Sequence, residues 1–202
     1  MLEPQPLWDR ALAMNAPHRA ASSETGDPLL LTPGPLTTSR AVKEAMVHDW
    51  GSRDAAFIRI NREVRERVTA IAGAEGTHTT VPLQGSGTFA VEAMIATFVP
   101  PAGKMLVLSN GAYGKRAARI CAVNKRAFTV LETPEDTPPS PAAVEAQLRA
   151  DPAITHVFAV HCETTSGVLN PVADIARIVQ TERRRLLIDA MSAFGAIPLD
   201  AA

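Results

Sequence analysis

An α/β fold with a mostly parallel sheet is what this sequence predicts, and two observations carry that prediction. From Thr79 to Asp189, short apolar runs alternate with segments of helical period, the pattern of strands joined by crossover helices. Several of the apolar runs are followed directly by a polar or glycine-rich turn, at Gln84–Thr88, Ser109–Gly114 and His161–Gly167, and the last ends on a lone carboxylate, Asp189. A parallel sheet places all such strand ends on one edge, which is where ligands bind in open α/β sheets.

The elements follow in order. Residues 1–28 mix Pro, Ala, Ser, Glu and His without a period, which predicts a mobile leader. They hold no apolar central region and so no secretory signal. Order is expected from Leu29 onward. Thr32-Pro-Gly-Pro35 predicts a rigid turn, because proline fixes φ. Thr38 or Ser39 suits the cap of a helix carrying Val42, Ala45 and Met46 on one face. His48 to Asp54 breaks that helix with a polar loop. Phe57, Ile60, Val64, Val68 and Ile71 recur at helical spacing and form one apolar stripe, with the arginines on the other faces and Gly73 at the end.

Strands are then expected at Thr79–Leu83, Met105–Leu108, Phe128–Leu131, Thr155–Val160 and Leu186–Asp189. Helices are expected at Gly87–Phe98, Tyr113–Val123, Ala142–Ala150 and Val172–Gln180. The four residues Leu186 to Asp189 read as a buried parallel strand delivering an acid to the sheet edge. The chain stops at Asp200-Ala-Ala202 after one more short apolar segment, and a sheet without a closing helix predicts a truncated domain.

Bulk properties remove several function classes. The chain has 202 residues, 46% hydrophobic, and a formal net charge of −1, enough for one sizeable core. Near-neutral charge leaves no electrostatic footprint for nucleic acid or an anionic membrane. Aromatics make up 4% of the chain, too few for a platform that stacks single-stranded bases. No apolar run is long enough to span a bilayer. Cys121 and Cys162 lack metal or disulfide spacing and read as reduced structural thiols in a cytoplasmic protein.

Four turns carry candidate chemistry. Gln84-Gly-Ser-Gly-Thr88 lies between a strand and a helix. Its glycines, the free N–H groups of the helix start and the Ser86 and Thr88 hydroxyls make a phosphate cradle, or simply a tight turn with a hydroxyl cap. It is not a P-loop, since no Gly-Lys-Ser/Thr follows. With Ala90 where a third glycine would stand, it is not a complete dinucleotide fingerprint either, which disfavours a nucleotide-binding oxidoreductase. Ser109-Asn-Gly-Ala-Tyr-Gly114 brings Tyr113 to the same edge, where a flat ligand can stack. His161-Cys-Glu-Thr-Thr-Ser-Gly167 places Glu163 and Thr164 at a strand end. His161 is read as hydrogen-bonded structure rather than a base, and three consecutive donors alternating across a strand do not converge on zinc, so no metal site is expected. Asp189 is either a turn cap or a ligand-binding acid. One ligand would employ all four turns: pyridoxal 5′-phosphate. Its phosphate would sit on Ser86-Gly87-Thr88, its ring against Tyr113, its phenolic oxygen near Thr164, and its pyridine nitrogen on Asp189.

Thr32-Pro-Gly-Pro35, Asp49-Trp-Gly-Ser-Arg-Asp54, Gln84-Gly-Ser-Gly-Thr88, Asn110-Gly-Ala-Tyr-Gly114, His161-Cys-Glu-Thr-Thr-Ser-Gly167 and Asp189-Ala-Met-Ser-Ala-Phe-Gly195 together resemble the class V, fold-type I aminotransferases. The resemblance runs from about Leu29 to the last residue. It implies a three-layer large domain with a mostly parallel sheet over residues 29–202, a pyridoxal 5′-phosphate cofactor, and a small-molecule amino donor with pyruvate as acceptor. It also implies a homodimer with sites at the subunit interface, and the Asp49–Asp54 loop is the candidate for reaching towards the partner. The match is nearest to the branch that moves the amino group of 2-aminoethylphosphonate to pyruvate, giving phosphonoacetaldehyde and L-alanine. Alanine– and serine–glyoxylate aminotransferases share the skeleton. In such enzymes a lysine roughly two dozen residues beyond the strand-end aspartate holds the cofactor as a Schiff base. The lysines here are Lys43, Lys104, Lys115 and Lys125, and none stands at that place. The sequence therefore reads as the amino-terminal part of such an enzyme, with a non-catalytic fragment as the other expectation.

Overall fold

The computed structural model describes residues 23–32 and 34–201. The expected leader lies outside the described residues up to residue 22, as does Pro33 of the Thr32–Pro35 turn. The chain divides into two compact units, one ending at Asp54 and one starting at Ala55.

In the first unit, Thr37 ties the segment expected to begin the ordered chain. Its hydroxyl accepts from Leu30 N at 2.7 Å and donates to Pro28 O at 2.7 Å. Helix α1 (Arg40–Ala45) starts where Ser39 caps it, the Oγ accepting from Val42 N. In the polar loop that follows, Gly51 N donates to Asp54 Oδ2 at 2.9 Å.

The second unit opens with α2 (Ala55–Ile71), and Gly73 follows it at φ +62°, the left-handed conformation that ends helices. The apolar stripe forms on this helix, yet α2 buries none of its residues, and Ile60, Val64 and Ile71 are exposed. One sequence expectation fails next to it. Thr79–Leu83 is not a strand. Its Thr80 carbonyl accepts from Arg65 Nε at 2.9 Å and its Thr79 hydroxyl from Arg65 Nη2 at 3.1 Å. No described strand pairs with it, and a β-rich composition cannot supply the neighbour a ladder needs.

Helix α3 (Gly87–Phe98) leads into β1 (Lys104–Ser109), then α4 (Ala112–Val123), β2 (Ala127–Glu132), α5 (Pro141–Ala150) and β3 (Ile154–Val160). A small antiparallel hairpin of β4 (Cys162–Glu163) and β5 (Val168–Leu169) precedes α6 (Val172–Thr181) and β6 (Arg185–Asp189). The main sheet is wholly parallel, in the order β2-β1-β3-β6.

Alternation along the central strands builds three layers. Met105 and Val107 of β1 and Phe158 and Val160 of β3 pack with α3 and α4 residues such as Ile95, Ala117 and Ile120. Leu106, Leu108, Val157 and Ala159 face the other way, against Val144 and Leu148 of α5 and Ile175 and Val179 of α6. Both central strands are covered on both faces, which is why their sequences are continuously apolar. The last strand differs from expectation in one respect. With β3 as its sole ladder neighbour, β6 is the edge of the described sheet and is half-buried rather than buried. Among the described residues no helix is long and apolar enough to cross a membrane.

Candidate functional site

Strand order dictates where a ligand can sit. The chain moves from β1 outward to β2, then returns to the other side of β1 as β3. That reversal opens a crevice at the carboxyl ends of β1 and β3. On the same carboxyl edge, between the starts of α3 and α4 and the end of β6, a cavity of about 150 Å³ is lined by Ser86, Gly87, Thr88, Tyr113 and Asp189. Five of the six residues expected to hold a cofactor thus meet in one place. The sixth, Thr164, opens the turn of the β4–β5 hairpin, is half-buried and does not line the cavity. Arg116, Met191, Val91 and Ala117 complete the lining.

Each side chain is delivered by a local device. Ser86 is the N-cap of α3, and its Oγ accepts from Phe89 N at 3.3 Å. The cap and cradle readings are compatible: the hydroxyl proton remains available, and the first N–H groups of the helix have no intrahelical partner. Tyr113 stands in the first turn of α4. Behind it, a buried pair of amides joins two loops. Asn110 Nδ2 donates to Asn170 Oδ1 at 2.9 Å, Asn170 Nδ2 returns a bond to Asn110 Oδ1 at 3.2 Å, and it also donates to Val160 O at 2.9 Å. The turn after β1 is therefore pinned to the ends of β3 and β5, with buried amides satisfied as such groups must be.

Glu163 is fully buried in the same wall. Its Oε1 accepts from the Thr165 hydroxyl at 2.8 Å, and its Oε2 has no partner. A Cβ placed on Gly111 would stand 2.5 Å from Glu163 Cδ and 2.6 Å from Thr165 Oγ1, so only glycine lets the carboxylate approach the start of α4. Its position beside the positive end of that helix suits an acid.

Asp189 ends β6. Its Oδ1 accepts from Met191 N at 3.1 Å, a turn cap, and Oδ2 makes no hydrogen bond among the described residues. Two contacts hold this turn to the neighbouring strand end: His161 N donates to Asp189 O at 2.8 Å, and Ser192 Oγ donates to Cys162 O at 2.6 Å.

Arg116 is the residue that pattern reading missed. Its Nη1 donates to Thr88 Oγ1 at 2.9 Å, and its guanidinium lies 4.5 Å from the centre of the Tyr113 ring. The signal was its spacing: three residues after Tyr113, it returns to the same helix face.

None of the lysines among the described residues lines the cavity. Lys104 pairs with Asp151 at 2.6 Å and Lys115 with Glu132 at 3.2 Å, while Lys43 pairs with Asp27. The two cysteines are free, and burial pushes the Cys121 thiol up to about 11, which keeps it protonated and unreactive near neutral pH.

His161 is buried with Nδ1 unpartnered, and burial lowers its pKa from 6.5. His156 is lowered as well, by burial first and the Arg185 charge second. Both imidazoles are then neutral in the fold, and the unfolded chain binds more protons below about pH 6.5. Their contribution to stability is complete above that pH and is lost as pH falls below it. Asp151, lowered from 3.8 by its hydrogen bond to Lys104, acts in a separate, more acid window. The expected result is a urea midpoint that starts to fall near pH 6.5, and a His156→Gln/His161→Gln chain whose midpoint is flat until the carboxylates titrate. An unchanged pH profile in the double variant contradicts the assignment.

Comparison with known proteins gives matches in both sequence and fold. The family model for aminotransferase class-V matches residues 35–202. A 2-aminoethylphosphonate–pyruvate transaminase of Pseudomonas aeruginosa is 58% identical over 174 residues, covering 86% of this chain and 47% of the relative. Its counterpart from Cupriavidus taiwanensis is 58% identical over 175 residues, covering 87% and 46%. Among solved structures, pyridoxamine–pyruvate aminotransferase from Mesorhizobium loti superposes with TM-score 0.78 at 28% identity, covering 88% of this chain and 45% of that one. Alanine–glyoxylate aminotransferase from Nostoc sp. gives 0.79 at 26% identity, covering 92% and 49%. The chain spans about half the length of the curated relatives it matches.

Proposed function

Because the chain belongs to the class-V aminotransferase family, we propose that it supplies the cofactor-binding half of a pyridoxal 5′-phosphate-dependent transaminase. That enzyme moves the amino group of 2-aminoethylphosphonate to pyruvate, yielding phosphonoacetaldehyde and L-alanine. The names of relatives at 55–58% identity support the choice of donor and acceptor. The observation that carries the reading is the meeting of Ser86, Gly87, Thr88, Tyr113 and Asp189 at one cavity on the carboxyl edge.

The donor set fits the cofactor. The hydroxyls of Ser86 and Thr88 and the start of α3 suit a phosphate, Tyr113 suits a flat ring, and Asp189, with Oδ2 uncommitted, suits a protonated pyridine nitrogen. When bound, the cofactor supplies an electron sink for the carbanion left when the amino donor loses its α-proton. Asp189 holds the proton on the ring nitrogen. Thr164, on the neighbouring hairpin, is the candidate partner of the phenolic oxygen. The β4–β5 hairpin and the Asn110–Asn170 pair keep these groups at fixed separation.

The exposed apolar positions Ile60, Val64 and Ile71 on α2 support a homodimer, with the Asp49–Asp54 loop as its expected reach towards the partner. The free thiols suit the cytoplasm.

A second reading has one observation in its favour: no lysine among the described residues lines the cavity. It makes the chain a binding module without amino-transfer activity. The test is to supply the native polypeptide with pyridoxal 5′-phosphate, pyruvate and single amino donors and to measure L-alanine. Formation from 2-aminoethylphosphonate is expected. Transfer to glyoxylate from alanine or serine instead would move the chain to the glyoxylate-linked branch. No transfer from any donor would leave the binding module.

A further inference from the structure

We propose that Arg116 is the residue that makes this pocket select a phosphorylated ligand, an inference that rests on the pyridoxal 5′-phosphate reading above. The charge balance of the cavity leads there. Among the described residues its lining carries one full negative charge, Asp189, and one full positive charge, Arg116. The ligand has a cationic ring nitrogen at one end and a phosphate dianion at the other. With Asp189 committed to the nitrogen, the dianion meets the start of α3, whose partial charge of about half a unit leaves most of the phosphate charge uncompensated. The Arg116 guanidinium stands where the remainder is needed, because its Nη1 already lies 2.9 Å from Thr88 Oγ1 in that cradle.

Two further features support the assignment. Among the described residues Arg116 forms no ion pair with a carboxylate, whereas Arg67 and Arg177 each have one and Arg149 has two. Its guanidinium also lies 4.5 Å from the centre of the Tyr113 ring. A planar guanidinium can keep an aromatic face while donating in its own plane to an oxygen anion. Arg116 therefore links the ring platform to the phosphate end. It is exposed, so its contribution falls at the low end of the range for charge-assisted hydrogen bonds.

The rival role for Arg116 is to brace Tyr113, which would affect ligands with and without phosphate alike. The test compares pyridoxamine 5′-phosphate with pyridoxamine, since neither amine condenses with the chain's lysines. Dissociation constants come from the circular dichroism that each achiral ligand acquires on binding the chain. Removing the charge in Arg116→Ala and Arg116→Gln is expected to weaken the phosphorylated ligand roughly tenfold while leaving pyridoxamine unchanged. Arg116→Lys should recover part of the loss, and added salt should erode the preference of the unaltered chain more than that of Arg116→Gln. Parallel weakening of both ligands, or no change in either, overturns the inference while leaving the cofactor reading intact. Failure of the unaltered chain to bind pyridoxamine 5′-phosphate overturns the cofactor reading, and the role of Arg116 with it.

Discussion

Replacing Asp189 with Ala in the proposed transaminase is expected to lower kcat by about a hundredfold or more, the scale on which a misplaced proton acts in catalysis. Asp189 closes β6 with one carboxylate oxygen capping Met191 N and the other uncommitted. Loss of the side chain removes the only acid among the described residues that lines the cavity, and with it the negative charge proposed to keep a pyridine nitrogen protonated. Asp189→Asn retains the size of the group and the acceptor for Met191 N, yet carries no charge, so it should share most of the defect. A spectroscopic check needs no turnover. The ring nitrogen of pyridoxamine 5′-phosphate bound to the Asp189→Asn chain should lose its proton at lower pH than on the unaltered chain. Full-rate transfer by Asp189→Ala would remove the role given to this acid.

Gly114→Ala is expected to destabilise the second unit by about 2 kcal/mol. An added Cβ would stand 2.7 Å from Ser109 Cα and 2.8 Å from its Cβ and Oγ. Ser109 is fully buried at the end of β1, and a backbone atom cannot rotate aside, so α4 must lift from the sheet. Overpacking of that kind costs about 3 kcal/mol at the upper end of its usual range, offset by about 1 kcal/mol of helix propensity gained by alanine. Gly87→Ala makes a useful contrast. There a Cβ meets Met191 Cε at 2.5 Å, the free end of an exposed side chain that can swing away. Urea midpoints should rank Gly114→Ala well below Gly87→Ala. Equal midpoints would mean that α4 is not seated on β1 as closely as the structure has it. Because Tyr113 and Arg116 ride on α4, the Gly114 variant should weaken ligand binding as well.

Strands β1 and β3 were legible to within one residue because burial on both faces leaves an uninterrupted apolar signature. The alternation of strands and helices, and the gathering of polar turns at one edge, follow from the same pattern. Thr79–Leu83 misled because its composition is that of a strand, while pairing depends on a neighbour that local sequence does not describe. The β4–β5 hairpin was too short to show a period: two residues on each strand look like loop. Most of the site was readable because the turns that build it are contiguous in sequence. What holds them together was not, since Asn110 and Asn170 meet across 60 residues. Arg116 was overlooked for a related reason. It contacts Thr88, 28 residues earlier, and on sequence alone it is one more arginine on a helix.

The most direct test is the structure of the chain bound to pyridoxamine 5′-phosphate. The predicted result places the phosphate on Ser86, Gly87 and Thr88, the ring against Tyr113, and the pyridine nitrogen within hydrogen-bond distance of Asp189. A ligand held elsewhere, or seated with its nitrogen away from Asp189, would contradict the account.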